Sequence, residues 1–255
     1  MRYFSTIHQQ RNYDFEKILD LLSRDSSNGI LLDEKTLEKL TPSHERLFYL
    51  KLLIDIKHEA YLESSKDFYN ASISMLIECL MQISIGRYRT THILLRSSLE
   101  ALCSGIYIEL FNKVPNEKFS QNIDLIKKEL TLSFTINFDK RKRKLFRRTF
   151  NDYVENTIKK SIYWNLSNYV HSTKREFLSS EEFFEDMISI INTPNIEELE
   201  NTLLTINKLT NNLIILVLIS DYEFYFKEPR EIVPLAVSKL DSNEKAFLDE
   251  WHLYN

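Results

Sequence analysis

The sequence predicts an all-α protein, a helical bundle with a four-helix core and flanking helices. Its 255 residues include only 3 Gly and 5 Pro, whereas average usage would give roughly 30 of the two together. Sandwiches and barrels need a turn about every 8 to 12 residues, and long stretches of this chain contain no strong breaker. Apolar residues recur at helical spacing in those stretches, and 43% hydrophobic residues are enough for a sizeable core.

The first elements follow from this spacing and from the few breakers. An apolar face predicts the first helix, and a turn-rich link at 26–29 follows it. Thr41-Pro42 is typical of a helix start, because a capping hydroxyl precedes proline at the first helical position. Gly86 interrupts the long run after it, and Pro115 ends the next helix. The predicted helices span 12–24, 41–85, 88–112, 140–160, 161–172, 195–226 and 243–253.

The second half of the chain is punctuated differently. The segment 131–139 (TLSFTINFD) alternates polar and apolar residues, which is typical of a short strand or extended loop. A polar loop precedes an acidic helix start at Glu181, and Pro194 opens the last long helix. Pro229 and Pro234 predict a linker before the final short helix.

These elements predict three regions. They are an N-terminal helical flank at 1–40, the helical bundle at 41–228, and a C-terminal linker with a short helix at 229–255. Long antiparallel helices are expected to form the core of the bundle, at 42–85, 88–112, 140–172 and 195–226.

Several function classes are excluded by residue spacing. Gly29, Gly86 and Gly105 match neither a GxxxxGK[ST] phosphate loop nor a GxGxxG dinucleotide turn. Cys79 and Cys103 lack the spacing of a zinc cluster, so we interpret both as reduced core residues of a cytoplasmic protein. No apolar signal segment follows the initial Met, and the longest apolar run is far shorter than the roughly 20 residues of a membrane span.

The net charge of −4 is unevenly distributed along the chain. Residues 1–130 carry 17 basic and 18 acidic side chains, 131–175 carry 11 and 3, and 176–255 carry 5 and 16. The centre of positive charge, which we call the basic run, has seven cations in nine residues: Lys140, Arg141, Lys142, Arg143, Lys144, Arg147 and Arg148. Such a run can contact phosphates, or it can pair with the acidic C-terminal third or a second subunit.

A narrow polar stripe crosses the apolar helix at 88–112. At helical spacing, Arg89, His92, Arg96 and Glu100 share one side, while apolar and small residues cover the rest. An arginine in a mostly buried helix is costly unless it is paired or lines a wet cleft. Two interpretations are therefore open, an internal Arg96–Glu100 ion pair at i,i+4 or a cation presented to an anion in a groove.

The segment 163–172 has a similar polar side. Trp164, Ser167, Asn168, His171 and, beyond the segment, Arg175 line up on it. A lone histidine is often structural, but this one shares a face with other polar residues and follows the basic run. Both a structural and a catalytic interpretation of His171 remain open.

Two motifs resemble a known family. They are Gly86-Arg-Tyr-Arg-Thr-Thr-His-Ile-Leu-Leu-Arg96-Ser-Ser-Leu-Glu100 and Tyr163-Trp-Asn-Leu-Ser-Asn-Tyr-Val-His171. In this order and in a helical chain, they resemble the HEPN superfamily, and more narrowly bacterial HEPN-like proteins with an LLRxxxE helix and an LSxYVH helix. The resemblance covers roughly residues 45–220.

The resemblance implies a helical bundle, often dimeric, that in many members is a metal-independent ribonuclease of toxin–antitoxin or antiphage systems. The usual signature places an Arg shortly before the His of the same helix, whereas this chain has Asn165 there. Arg96 or Arg175 could take that role. Other members bind nucleotides or proteins without cutting, so a noncatalytic binding or regulatory module is the alternative.

The implied chemistry is RNA cleavage by the ribose 2′-hydroxyl, which needs a base near neutral pKa and a cation against the growing phosphorane charge. His171 would be the base or acid and Arg96 the clamp. Asn168 and Ser167 would orient the histidine, and Glu100 would fix the arginine. The implied partners are single-stranded or tRNA-like RNA, a second copy of the chain, and an antitoxin or other defence-system protein.

The aromatic residues of this segment have two interpretations. Trp164 and Tyr169 could be stacking platforms for RNA bases, but we expect both rings in the core. Other chemistry has less support. Asp55-x-x-His58 and Asp249-x-x-His252 are too few for a di-metal bundle, and no spacing identifies a histidine partner for Cys103. The sequence therefore predicts neither a metal nor a cofactor.

Overall fold

A computed structural model of the protein describes residues 6–24, 34–84, 86–135, 139–171, 196–226 and 231–250. None of these residues forms a strand and most are helical, which confirms the all-α class. The α-helices are α1 (Ile7–Arg24), α2 (Glu34–Asp55), α3 (Glu63–Ser84), α4 (Tyr88–Phe111), α5 (Phe119–Phe134), α6 (Lys140–Asp152), α7 (Trp164–His171), α8 (Ile196–Ser220), α9 (Tyr222–Phe226), α10 (Ile232–Ser238) and α11 (Ser242–Glu250). A short 3₁₀ helix, His58–Ala60, follows α2, and a π-helix, Tyr153–Tyr163, joins α6 to α7.

Helix α4 lies at the centre of the bundle. It packs against α3, α5, α7 and α8, and its Leu95, Leu99 and Leu102 are fully buried. Small residues allow α3 to approach closely. Ser72 Oγ lies 2.9 Å from Ser98 Oγ, and a Cβ on Gly105 would lie 3.1 Å from the Tyr69 ring of α3. The polar stripe of α4 is therefore carried by a helix that the core holds on several sides.

Helix α8 pairs with α2, and the C-terminal helices pack on both. Arg46 of α2 connects them, because its Nε donates to Asn211 Oδ1 at 2.9 Å and its Nη2 donates to Asp241 Oδ1 at 3.0 Å. Lys239 forms an ion pair with Glu45 at 2.8 Å. The segment after α9 is thus tied to the bundle by charged contacts to α2.

One helix in the described part of the chain, α8, is long and apolar enough to cross a membrane. Most of its apolar window is buried inside the bundle. Both cysteines are buried free thiols, in agreement with the sequence prediction, and burial raises the pKa of each.

The π-helix gives the long α6–α7 helix a constant inner face. Its buried side chains recur every four residues, at Phe146, Phe150, Val154, Ile158, Ile162 and Leu166. Four residues overshoot one α-helical turn by about 40°, so this repeat would wind around a regular α-helix. Because the π-helix bonds i to i+5 and fits more residues into each turn, its wider turns offset that drift. The repeat therefore stays against the core along the whole segment.

The prediction of a short strand or extended loop at 131–139 is wrong for residues 131–134. Residues 131–134 belong to α5, a helix that the sequence analysis did not predict, and 136–138 lie outside the described residues. The buried side chains of α5 follow helical spacing, with Ile123, Ile126 and Leu130 facing the core. A few residues at the end of a helix can alternate between polar and apolar as a strand does. Burial of the preceding turns of α5 against the core is what makes this segment helical.

The predicted helix 41–85 is two helices instead of one. The break comes before α3, where Glu109 of α4 accepts a hydrogen bond from the Leu62 backbone N–H at 2.8 Å. This cap comes from a residue 47 positions away, so local spacing gave no signal for it. Helix α2 also begins upstream of the predicted start and contains Pro42, and the predicted region boundary at 40/41 falls inside it. Burial of Leu40 and His44 on either side offsets the cost of an internal proline.

Pro234 was predicted to lie in a linker, but it is the third residue of α10. A proline is tolerated there because the first backbone N–H groups of a helix have no intrahelical partner. The last long helix ends at Ser220, and Asp221 Oδ1 accepts from the Phe224 N–H at 3.2 Å to begin α9. The predicted features at 179–181, Pro194 and Pro229 lie outside the described residues.

Candidate functional site

The centre of the candidate site is a hydrogen-bonded triangle between α4 and the end of the π-helix. Arg96 Nε donates to Glu100 Oε1 at 3.0 Å, the i,i+4 pair that was one of the two interpretations of this stripe. Arg96 Nη2 donates to the Tyr163 hydroxyl at 3.1 Å. That hydroxyl in turn donates to the same Glu100 oxygen at 3.0 Å. Each of the three side chains is therefore held by the other two.

The aromatic surroundings further restrict Arg96. Its guanidinium carbon lies 5.1 Å from the centre of the Tyr163 ring, and Phe119 stacks on Tyr163 with ring centres 4.1 Å apart. The Arg96 side chain is 17% exposed and that of Glu100 is 38% exposed. Burial, followed by the hydrogen bond and charge of Glu100, raises the pKa of Tyr163. The phenol therefore stays neutral and remains a hydrogen-bond donor to Glu100 at neutral pH.

His92, on the same stripe of α4, is a buried structural residue. Its Nδ1 lies 2.8 Å from the Tyr88 carbonyl oxygen, and its ring stacks on Tyr169 with centres 3.8 Å apart and planes 16° apart. Burial lowers the pKa of His92. Its supporting role is therefore to hold α7 against α4 as a neutral imidazole.

Two contacts fix the register between α4 and the segment 163–171. Arg96 meets Tyr163 and His92 meets Tyr169, so the two helices run antiparallel. His171 lies eight residues beyond Tyr163, about 12 Å along the helix axis. Arg89 lies seven residues before Arg96 on the same stripe of α4, about 10 Å in the same direction. The backbone of His171 is thus level with Arg89, whereas Arg96 is level with Tyr163.

The other proposed residues of α7 have separate environments. Ser167 Oγ donates to the Tyr163 carbonyl oxygen at 2.7 Å, a bond within its own helix. Asn168 is half-buried, and its side chain forms no hydrogen bond within the described part of the chain. His171 is the last residue of α7, and its side chain, like the whole of Arg175, lies outside the described residues.

The basic run forms the exposed start of α6. Asp139 caps it, accepting from the backbone N–H groups of Arg141 and Lys142 at 2.8 Å each. All seven cations are exposed. Phe146 anchors the helix, since it is fully buried and stacks on Phe134 with ring centres 4.4 Å apart.

The charges of the basic run are weakly compensated. Arg148 lies 4.0 Å from Asp152, and both side chains are largely exposed. Five further members of the basic run form no ion pair with described residues: Lys140, Arg141, Lys142, Lys144 and Arg147. The sequence analysis allowed the basic run to pair with the acidic C-terminal third. Among the described residues 196–250, however, no acidic side chain forms an ion pair with any of these five cations.

Trp164 lies on the surface, and the expectation that it belongs to the core is wrong. Its side chain is 67% exposed, whereas Leu166 is buried. Helical spacing within 163–172 had placed Trp164 on the polar side, opposite Leu166, and its exposure agrees with that placement. Tyr169 is half-buried, and its ring is stacked on His92.

Comparisons with protein-family models, curated proteins and solved structures found no match to this chain. The similarity to HEPN proteins therefore stands on its two motifs alone. Within the described ranges, no group of three His, Cys, Asp or Glu side chains is placed to hold a metal ion.

Proposed function

We propose that this protein is a metal-independent endoribonuclease, the effector or toxin of a bacterial defence or toxin–antitoxin system. The observation that carries the proposal is the exposed basic run, five of whose cations form no ion pair with described residues. The same continuous helix extends from this run to His171. A cluster of exposed cations favours a polyanion, because each neutralised phosphate releases counterions.

His171 is proposed as the general base. It takes the proton of the ribose 2′-hydroxyl, the 2′-oxygen bonds to phosphorus, and the P–O5′ bond breaks. The departing 5′-oxygen takes a proton from water, which leaves a 2′,3′-cyclic phosphate and a 5′-hydroxyl. Asn168, one turn before His171, is available to orient the imidazole or to donate to a phosphate oxygen, since no described residue occupies its amide.

Two arginines of α4 are candidates for stabilising the negative charge that grows on the phosphate. Arg96 is oriented in advance by Glu100 and Tyr163, which removes the entropic cost of ordering it. Arg89 is exposed and level with His171. We propose Arg89 as the nearer phosphate contact and Arg96 as the clamp when the RNA extends toward Tyr163.

Cleavage of total RNA in EDTA tests the proposal. We expect the wild-type protein to produce fragments with 2′,3′-cyclic phosphate ends, and His171→Ala to produce none. His8→Ala is the matched control, because His8 is an exposed histidine on α1. Equal cleavage by wild type and His171→Ala, or intact RNA with wild-type protein, would contradict the nuclease function.

One observation favours a noncatalytic binding module as the second candidate. Arg96 already has a carboxylate partner in Glu100 and is level with Tyr163 instead of His171. In that case the basic run docks to an acidic partner protein or a second copy of the chain. Affinity capture should then return a stoichiometric protein that is lost when the charges of 140–148 are reversed. Recovery of RNA alone would count against it.

A further inference from the structure

The helix from α6 to α7 has a second four-residue repeat, opposite the buried one. Every fourth side chain from Lys144 is exposed, and we call this set the outer stripe: Lys144, Arg148, Asp152, Asn156, Lys160 and Trp164. It is offset by two residues from the buried set that starts at Phe146, which is about half a turn. The outer stripe therefore faces away from the core along the full helix.

The π-helix is what aligns the two ends of the outer stripe. Five steps of four residues lead from Lys144 to Trp164, and in a regular α-helix they would add up to about 200° of drift. Trp164 would then point toward the opposite side from Lys144. Because both are exposed, the π-helical turns place the indole on the same face as Lys144 and Arg148.

The chemistry of the outer stripe changes along its length. It begins with Lys144 and with Arg148, whose Nε lies 4.0 Å from the Asp152 carboxylate. It continues with the amide of Asn156, which accepts from Lys160 at 3.2 Å, and ends at an indole that is 67% exposed. Covering this ring with a ligand would be favourable, because it would remove apolar surface from water. Cations followed by an open aromatic face are typical of sites that track a nucleic-acid backbone and stack a base.

We propose that the outer stripe is the path of single-stranded RNA, with one base stacked on Trp164. The proposal rests on RNA being the polymer that the basic run binds. A protruding indole needs an unpaired base, and the bases within a duplex already stack on each other. The stripe is at most about 30 Å long, which suits on the order of five nucleotides.

Tryptophan emission tests this placement directly. The chain has two tryptophans, so Trp251→Phe leaves Trp164 as the only one. The probe is a 2′-O-methyl oligoadenylate, which cannot be cleaved because its 2′-oxygen carries no proton to remove. We expect binding to quench the emission of Trp164. A duplex of the same length should bind through the basic run without comparable quenching. Inorganic polyphosphate should leave the emission of the free protein unchanged and should restore the quenched emission by displacing the probe.

Substitutions measure the contribution of the stack. In otherwise wild-type protein, Trp164→Ala should weaken binding of the single-stranded probe about tenfold and leave duplex binding unchanged. Trp164→Phe should restore most of the loss, and Val114→Ala, at another exposed apolar side chain, should have no effect. Lys160→Ala should reduce the dependence of single-strand binding on salt by about one phosphate contact.

The outcomes separate this proposal from the nuclease function. Three results would each overturn the single-strand path. They are unchanged emission on binding, an equal loss of duplex and single-strand affinity in Trp164→Ala, and an acidic protein that occupies the stripe in place of RNA. RNA cleavage that is insensitive to Trp164→Ala would also overturn it while leaving the nuclease intact. Quenching by the uncleavable probe, together with no cleavage of RNA, would support the path and contradict the nuclease.

Discussion

Tyr163 of the π-helix donates its hydroxyl to Glu100 of α4 at 3.0 Å, on the same carboxylate oxygen that accepts from Arg96. This bond joins the LSxYVH-like segment to the LLRxxxE-like helix. Tyr163, the first residue of the segment 163–171, thus completes the polar cluster that Arg96 and Glu100 form on α4. The four predictions that follow concern this cluster and the helices that hold it.

Tyr163→Phe should destabilise the protein by about 1 kcal/mol, because it removes the hydroxyl that bridges Arg96 and Glu100 but keeps the stack on Phe119. Urea unfolding measures the change. In a double-mutant cycle with Glu100→Gln, the double mutant should lose less stability than the sum of the losses in the two single mutants. Strict additivity would mean that the two side chains do not interact in solution.

The roles of the two arginines can be separated by comparing stability with activity. Arg96→Ala should lower both the unfolding free energy and RNA cleavage, because Arg96 supports Glu100 and Tyr163. Arg89→Ala should lower cleavage alone, since Arg89 is exposed and forms no ion pair with described residues. Lys113→Ala, at an exposed cation beyond the end of α4, is the control. Full cleavage by Arg89→Ala would remove Arg89 from the site.

Gly105→Ala should destabilise the protein by about 1 to 3 kcal/mol, because the new methyl group would lie 3.1 Å from the Tyr69 ring. In an unconstrained helix the same change stabilises by about 1 kcal/mol, so the sign alone reveals the close contact. Thermal or urea unfolding measures it. Adding Tyr69→Leu to Gly105→Ala should recover part of the loss, and a stabilising effect of Gly105→Ala would show that α3 and α4 do not approach this closely.

Stability should fall with acidification through the titration of His92. Burial lowers the pKa of His92 below its ordinary 6.5, so the unfolded chain binds the proton more readily than the folded one. The contribution is therefore present above about pH 6.5 and is lost as the pH falls toward the lowered folded pKa. Urea unfolding between pH 8 and pH 5 measures the slope.

His92→Phe provides the control for this pH dependence. Phenylalanine keeps a ring against Tyr169 but does not titrate, so the variant should have a shallower loss of stability between pH 6.5 and pH 5. The depressed pKa values of Asp124 and Glu155 also reduce stability in acid, but only near and below their ordinary values of 3.8 and 4.5. Identical slopes for wild type and His92→Phe would contradict the buried neutral histidine.

Part of the site followed from spacing alone. The Arg96–Glu100 pair was one of two interpretations of the polar stripe, because residues four apart on a helix are neighbours whatever the helix packs against. The exposure of the basic run was similarly favoured, since seven cations in nine residues cannot be buried without partners. Tyr163 was not assigned a role, because its partners lie 63 and 67 residues away and no local pattern connects them.

The phase of the α6–α7 helix shows the limit of local reasoning. The repeat Phe146, Phe150, Val154 and onward is visible in the sequence as apolar residues every fourth position. Projected at 100° per residue, the repeat winds around the helix, so spacing alone does not predict that all of its members are buried. Only packing against α5 and α8 shows that the helix adopts π-helical turns to keep this repeat buried, which leaves Trp164 exposed.

The sequence by itself determined the all-α class, the buried thiols and the basic run, and it offered the i,i+4 ion pair as one of two interpretations. Each depends on composition or on contacts within one helix, where geometry is fixed by the backbone. The tertiary structure alone decided that α5 is a helix to its end, that Glu109 caps α3, that Tyr163 joins Arg96 to Glu100, and which level of α4 faces His171. These depend on contacts between residues far apart in the chain, whose energies have no counterpart in local spacing.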